Sequence, residues 1–522
     1  MVAKEIAAET HVNNHEFGHR TKRIVSNSFL LFFRMLFVTV INLYAVRFVL
    51  KGLGMVDYGV FNAVFGIVMT SSFLILVFST SIQRFYSYAF GKKDKEMIEE
   101  LFSASCNILI ILSFVILLLL ETVGLWYINT CLNIPIDRIY AVNWVFQFAS
   151  ISFLFTLLLV PFTASVFSHE DMGIYALMSC VDYGLRFVVA VLIVTSPIDR
   201  LIFYSSGLLV VSIIIFVSYA YIVHKRYEEC RYRAVKNRST YRELLSFSGW
   251  TMYGALAGTG MIQGSTLILN FFFGPVANAA FAIANQLYNA FSSLANSIVL
   301  SFRPTMIKSY AEENYRYLIN LFSTNNKILI YLTGCVAIPI VFEMEFILTH
   351  WLDDITPDMV LYSQLFIAYA VLIAMHNPIT TIIQSTGRIK KYQLLVQTIT
   401  LLSLPLAIVM FKFGLPSYYM FVSILFCCVV AHVFRIYCLK ELFPDFNVKD
   451  YLAHIVIPGA VTISLTVFLT WLIYINISNQ IINFVVVFVT SPLILCLLAL
   501  LIGISKTERV QLIDFVKTNI KR

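Results

Sequence analysis

Charge is scarce in this chain, and the scarcity excludes most of what a protein of this length could be. Of 522 residues only 13% are Asp, Glu, Lys or Arg, while 59% are hydrophobic and mean hydropathy is +0.82. A water-soluble chain carries roughly 25% charge. This one cannot cover a hydrated surface, and its solvent is read as lipid. The nine cysteines are scattered through apolar runs with no CxxC or Cys/His cluster. That excludes a zinc site and a disulfide framework. Walker-type glycine loops are missing as well, so any energy the protein uses is expected from ion or substrate gradients. No cofactor is expected. The first 23 residues, MVAKEIAAETHVNNHEFGHRTKR, are polar without a cleavable signal pattern and read as a cytoplasmic tail.

What the chain does have is long apolar runs. A membrane-crossing helix needs about 20 mostly apolar residues. Fourteen segments qualify, at about 25–49, 58–80, 102–128, 141–167, 172–194, 201–223, 244–273, 276–300, 327–349, 360–384, 393–411, 418–439, 455–474 and 482–502. Short breaks separate two of the pairs: the acidic SHEDMG at 168–173, and FGP at 273–275. The runs are long and lack period-2 alternation, which disfavours a β-barrel. The expected fold is all-α and polytopic.

Positive residues set the orientation. With the N-terminus inside, about 30 of the 37 Lys and Arg fall on one set of loops and 4 on the other, with three inside spans. Both termini are therefore read as cytoplasmic. The basic excess is topological, and nucleic acid is not an expected partner.

The chain also repeats itself. LFSASCNILIIL (101–112) matches LFSTNNKILIYL (321–332) at seven of twelve positions, an offset of 220. The same offset pairs LGMVDYGVF (53–61) with FGPVANAAF (273–281), and an offset of 217 pairs Pro161, Thr163 and Tyr175 with Pro378, Thr380 and Tyr392. Two six-helix segments read as duplicated, 24–223 and 244–440, joined by a basic cytoplasmic linker at 224–243. Helices 13 and 14 (451–503) and a cationic, amphipathic tail (504–522) are appended. Six is even, so the copies enter the membrane from the same side. In transporters such a parallel repeat places the substrate site between the halves.

At the inner end of helix 2, QRFYSYAFGKKD (83–94) finds its partner in FRPTMIKSYAEEN (302–314), which aligns Arg84 with Arg303 and Ser-Tyr-Ala with Ser-Tyr-Ala. Two readings fit. Arginines at inner helix ends snorkel to headgroups and fix topology. Alternatively, the pair flanks an inner mouth and receives an anionic headgroup, since guanidinium presents a planar fork to phosphate.

The runs LGMVDYGVFNAVFGIV…STSIQRFYSYAFGKKD, PFTASVFSHEDMGIYALMSCVDYGLR (161–186) and FFGPVANAAFAIANQLYNAFSSLANSIVLSFRPTMIKSYA (272–311) resemble one family. It is the polysaccharide-biosynthesis branch of the multidrug/oligosaccharidyl-lipid/polysaccharide exporter superfamily, the O-antigen and capsule flippases. The resemblance covers about residues 22–440. It implies a V-shaped bundle of two lobes around a central cavity, working by alternating access in the bacterial inner membrane. The implied cargo is an undecaprenyl-pyrophosphate-linked oligosaccharide. Membrane lipids, and polysaccharide polymerase or glycosyltransferase partners, are implied beside it.

Charges within spans are the sharper candidates, because each costs at least about 2.5–3.5 kcal/mol at the bilayer centre and must face protein or water. Arg34 lies nine residues into helix 1 with no acid nearby in its own helix. Related lipid II flippases carry cavity arginines in helix 1, roughly where Arg34 falls. Asp182 and Arg186 are four apart on one face of helix 5, where they either line the cavity or neutralise each other. Arg34, Arg84, Arg186 and Arg303, with Asp182, form the candidate headgroup site. Gln286, beside Asn285 in helix 8, could bond sugar hydroxyls or join helices. Glu121 and Glu343 are candidates for ion coupling. Asp57 is read as complementing a helix dipole, and His376 and His432 as lone core residues. Gly254, Gly258, Gly260 and Gly264 read as a close-packing face. Two other functions were weighed. A cation-coupled drug exporter of the same superfamily calls for acids to dominate its cavity, and a polysaccharide polymerase or ligase calls for a large external catalytic loop.

Overall fold

In a computed structural model the described residues are 27, 30–42, 44, 45, 47–49, 51–54, 57, 58, 60, 61, 64–130, 136–196, 198–233, 235, 237–352, 355–504 and 509. The expected tail 1–23 lies outside them, as do Asp353, Asp354 and nearly all of 504–522. The described residues form helices and connecting turns, with no strand.

Among the described residues, thirteen helices are long and apolar enough to cross a membrane. They are α1 (Leu30–Gly54), α2 (Val64–Lys92), α3 (Lys95–Thr130), α4 (Ile139–Ser168), α5 (Met172–Thr195), α6 (Arg200–Arg226) and α7 (Arg238–Gly274); then, after the α7 continuation, α9 (Tyr315–Phe342), α10 (Pro357–Ser385), α11 (Lys390–Lys412), α12 (Tyr419–Leu442), α13 (Val448–Asn476) and α14 (Gln480–Gly503). The fourteenth expected span, α8, is the continuation of α7 through Ala311, beyond a left-handed residue at Gly274. Its Asn278, Asn285, Gln286, Asn289 and Asn296 make it too polar to pass as a lipid-facing helix by composition alone. About fourteen spans is thus the architecture.

Lipid as solvent is visible in what stays uncovered. On α3, Ile111, Phe114, Val115 and Leu118 are all exposed, a stripe at helical spacing. Several buried hydroxyls are satisfied within their own helices instead. Ser81, Ser105, Ser205 and Thr466 each donate to the carbonyl four residues back.

Tertiary contacts gather the chain into two compact units, residues 1–255 with 300–312, and residues 256–299 with 313–522. In the first, α4 packs along α6, the second half of α4 packs on α2, and α5 packs on α6. In the second, α9 packs on α10 and α14, α10 on α12, α11 on α12, and α13 on α14. An aromatic cluster of Phe281, Tyr362, Phe366 and Phe421 centres the second unit. Of the glycines read as a close-packing face, Gly264 fits that reading, since a Cβ would stand 2.5 Å from Leu404, whereas a Cβ at Gly258 would meet nothing within 4 Å.

The repeat is written in the backbone too. Left-handed residues recur at Gly54 and Gly274 (φ 79° in both), at Lys93 and Glu313 (56° and 60°), and at Glu170 and Gly387 (61° and 78°). The first two pairs stand at the 220 offset and the third at 217. Asp94 and Asn314, again 220 apart, cap the following helices through Met97 N–H and Tyr317 N–H. Three of these six left-handed positions are not glycine, so tertiary context holds them there. Asp57 does more than complement a dipole: both its oxygens take hydrogen bonds from Arg138, which also reaches Asp199 at 2.7 Å.

Candidate functional site

The first unit gathers one polar group within its membrane helices. Asp182 and Arg186 are one turn apart on α5, and Arg186 Nε donates to Asp182 Oδ1 at 2.7 Å. Both remain partly accessible, at 32% for the Arg186 side chain and 23% for Asp182. Arg34 of α1 lies with its guanidinium 4.6 Å from the centre of the Tyr175 ring, also on α5. Tyr219 of α6 is within electrostatic reach of Tyr175, Arg34 and Asp182, and Tyr204 within reach of Arg186. Three helices thus converge on two guanidinium groups, one carboxylate and several phenols. The carboxylate offsets one cation, which leaves a net positive charge. Arg34 Nε is buried and has no hydrogen-bond partner among the described residues. A polar group in hydrocarbon needs a partner or water, so this nitrogen has donor capacity to offer.

The other expected members stand elsewhere. Arg84 of α2 is 93% shielded, its guanidinium packed over Phe85 (4.5 Å), Tyr88 (5.1 Å) and Phe247 (5.3 Å). Glu243 and Tyr310 are within its electrostatic reach. It is a packed cation with an aromatic shell. Arg303, in the stretch 300–312 that belongs to the same unit, is half-buried. Gln286 is exposed on the side of α8 away from buried Phe281 and Ala284. Glu121 sits in a π-helical turn of α3, Leu120–Gly124, and accepts from Gln147 at 2.9 Å while its other oxygen is buried and unbonded. Such turns widen a helix by one residue and frequently occur at functional positions. Glu343 ends α9, just before the short helix Met344–Trp351; it is 3% exposed, with one oxygen unbonded among the described residues.

Several arrangements are not legible in the sequence. The segment after α6 is strapped to the first unit. Tyr227 stacks on His169 at 3.6 Å and donates to Asp171 at 2.6 Å, while His169 Nε2 meets Glu229 at 2.9 Å. Arg233 N–H donates to Ser103, and its side chain pairs with Glu99 at 2.5 Å. Burial alone would raise the Glu229 carboxyl, but hydrogen bonds from its own backbone N–H and from His169 hold it below the ordinary carboxylate range. Burial pushes the neighbouring Cys230 thiol up to about 12, so it is an inert packing group. In the SHED stretch, read only as a break between spans, His169 and Asp171 anchor this strap, while Glu170 pairs with Lys308 at 3.1 Å. In the second unit a cleft of about 550 Å³ is lined by Arg388, Lys390, Lys391, Leu394, Leu395 and Leu442 among others; none of the expected site residues lines it. His376 and His432 are not lone residues there: their rings stack 4.7 Å apart.

Residues 78–310 match the polysaccharide biosynthesis protein family. The expected family is the one that matches. The matched stretch holds Arg84, Asp182, Arg186 and Arg303 and leaves out Arg34. The chain is also 22% identical over 283 residues to the uncharacterized membrane protein EpsK of Bacillus subtilis, an alignment spanning about half of each protein (54% of this chain, 55% of the relative). Among solved structures it resembles an outward-facing multidrug resistance MATE family transporter of the MOP superfamily, with a TM-score of 0.70 and 16% identity over 82% of this chain and 97% of the other. A MOP superfamily transporter from Pyrococcus furiosus, described as having a binding pocket of reversed polarity, matches with a TM-score of 0.70 and 14% identity over 81% and 96%. At such identities the likeness establishes the fold. The chain is a multi-pass membrane protein with the fold of these transporters.

Proposed function

We propose that this protein is a flippase that carries a polyprenyl-pyrophosphate-linked oligosaccharide from the inner to the outer leaflet of a bacterial plasma membrane. It does so by alternating access, in O-antigen, capsule or exopolysaccharide synthesis, with both termini in the cytoplasm. The observation that carries the reading is the net cationic group on α1 and α5, inside a unit whose sequence matches polysaccharide biosynthesis proteins. A polyprenyl tail is at home in lipid, whereas a diphosphate with sugars attached is not. The protein need only shield the head. Arg34 offers a donor that no described residue occupies, and phosphate oxygens accept such donors strongly. Asp182 orients Arg186 and prevents two bare cations from standing together. Tyr175, Tyr204 and Tyr219 supply faces and hydroxyls suited to sugar rings. Glu121 and Glu343, each with an unbonded buried oxygen, are the groups through which an ion gradient would act.

The test is flipping of a defined lipid-linked oligosaccharide by purified protein in liposomes. Arg34→Ala should lower the rate at least about tenfold, as expected when a charge-assisted hydrogen bond is lost, with Arg34→Lys in between. Equal rates for Arg34→Ala and wild type, at equal protein levels, would remove the cationic headgroup site. Transport of organic cations in place of the glycan lipid would favour the drug-exporter reading.

A further inference from the structure

The second unit contains a buried cation that the flippase reading does not use. Arg435 lies in α12, one turn beyond His432, and is 6% exposed. Its Nε and Nη1 are buried and have no hydrogen-bond partner among the described residues, and the same holds for His432 Nδ1. His376 of α10 stacks on His432 and is 4% exposed, and its Nδ1 lies 4.0 Å from Cys428 Sγ. The Tyr451 ring, 6.3 Å from that of His432, closes one side.

The described groups that share Arg435 as a neighbour bring no counter-charge. His376 is within electrostatic reach of Arg435 and His432; His432 of Arg435; Cys428 of Arg435 and Cys427; and Tyr369 of Tyr288, Cys428 and Arg435. No carboxylate is among them. A guanidinium does not give up its proton, and an ion taken out of water without a partner costs several kcal/mol. Water can hydrogen-bond the guanidinium, since imidazole, thiol and phenol groups also accept, but it leaves the charge uncancelled. A small anion satisfies the donors and cancels the charge in one step. The closeness of the packing, with Tyr369, Cys428 and Tyr451 all under 9% exposed, argues against anything bulky. Two π-helical turns, Gln393–Gln397 in α11 and Leu452–Val456 beginning beside Tyr451, flank α12 and the wall of this site.

We propose that the second unit binds a small inorganic anion between α10 and α12, held by Arg435 and His432 and walled by His376, Cys428 and Tyr451. The site is independent of the cargo. It would neutralise a cation on which the packing of α10, α12 and α13 converges, and so make the stability of this unit depend on the anion present.

The experiment uses the full chain purified in detergent, with thermal unfolding followed in sodium gluconate, sodium chloride and sodium phosphate at one ionic strength. A saturable rise in midpoint of about 3 °C or more in chloride is expected for wild type. Arg435→Gln and His432→Phe should flatten the response. Should Arg435→Gln fail to accumulate, Arg435→Lys, which keeps the charge and loses the fork, should weaken the apparent chloride affinity at least about fivefold. A response to phosphate alone would assign the site to oxyanions. A wild-type midpoint indifferent to all three salts would overturn the proposal, as would a chloride response that survives in Arg435→Gln or is undiminished in Arg435→Lys.

Discussion

The Asp182–Arg186 pair decides whether α5 presents a cation or merely locks itself, and a double-mutant cycle separates the two. At the observed 2.7 Å the attraction is about 6 kcal/mol for an effective dielectric near 20. Desolvation of both groups offsets much of it, and side chains accessible at 32% and 23% are partly screened. Exposed pairs at this spacing contribute about 0.3–0.5 kcal/mol and buried ones several times more. A coupling energy of about 1–2 kcal/mol is therefore expected. The assay is unfolding of wild type, Asp182→Asn, Arg186→Gln and the double variant in one detergent, paired with flipping rates for all four. Asp182→Asn should be the least stable, because it strands a guanidinium among lipid-facing helices. The double variant should regain most of the stability and still flip slowly, since the second cation is gone. Coupling below about 0.3 kcal/mol would show that the pair holds nothing. A double variant flipping at the wild-type rate would show that the pair is only a lock, and Arg186 would leave the headgroup site.

Two further outcomes follow from the geometry of the first unit. A Cβ at Gly91 would stand 2.6 Å from both the Lys308 carbonyl oxygen and Ala311 Cβ. Gly91→Ala should therefore lower stability by about 1–2 kcal/mol, overpacking outweighing the gain in helix propensity; a raised unfolding midpoint would refute the close approach. The lowered Glu229 carboxyl implies a strap that is tightest above the ordinary carboxylate pKa of about 4.3 and loosens as pH falls through the lower folded value. Proteolysis at 227–237 should accelerate below about pH 4 in wild type, whereas Glu229→Gln should be cut readily at neutral pH with little further change. Wild-type cleavage independent of pH would sever the strap from this carboxylate.

Much of the architecture was legible because lipid is a demanding solvent. It requires runs of about 20 apolar residues, and these set the number and order of the helices. A fourteenth helix, despite its asparagines, was still readable as an apolar run set off by the FGP break. The turns at Gly54 and Gly274 and the caps at Asp94 and Asn314 were implicit in the same offsets, because a duplicated sequence repeats its backbone solutions. Less legible was the fate of each charge. Arg84 and Arg303 were paired by sequence, yet Arg84 is packed under aromatic rings and Arg303 is partly exposed. Nothing along the chain marks Arg435 as buried beside two histidines.

From the order of its residues alone this protein was committed to lipid, to helices and to a duplicated plan. These follow from hydropathy and periodicity, which depend on neighbours along the chain. Which cations are open and which are sealed, that Arg186 is answered by Asp182 while Arg34 rests on a ring, and that two distant histidines share a stack with an arginine beside them were decided only by packing. Helix rotation sets those contacts. It depends on side chains hundreds of residues apart, and no local pattern encodes it.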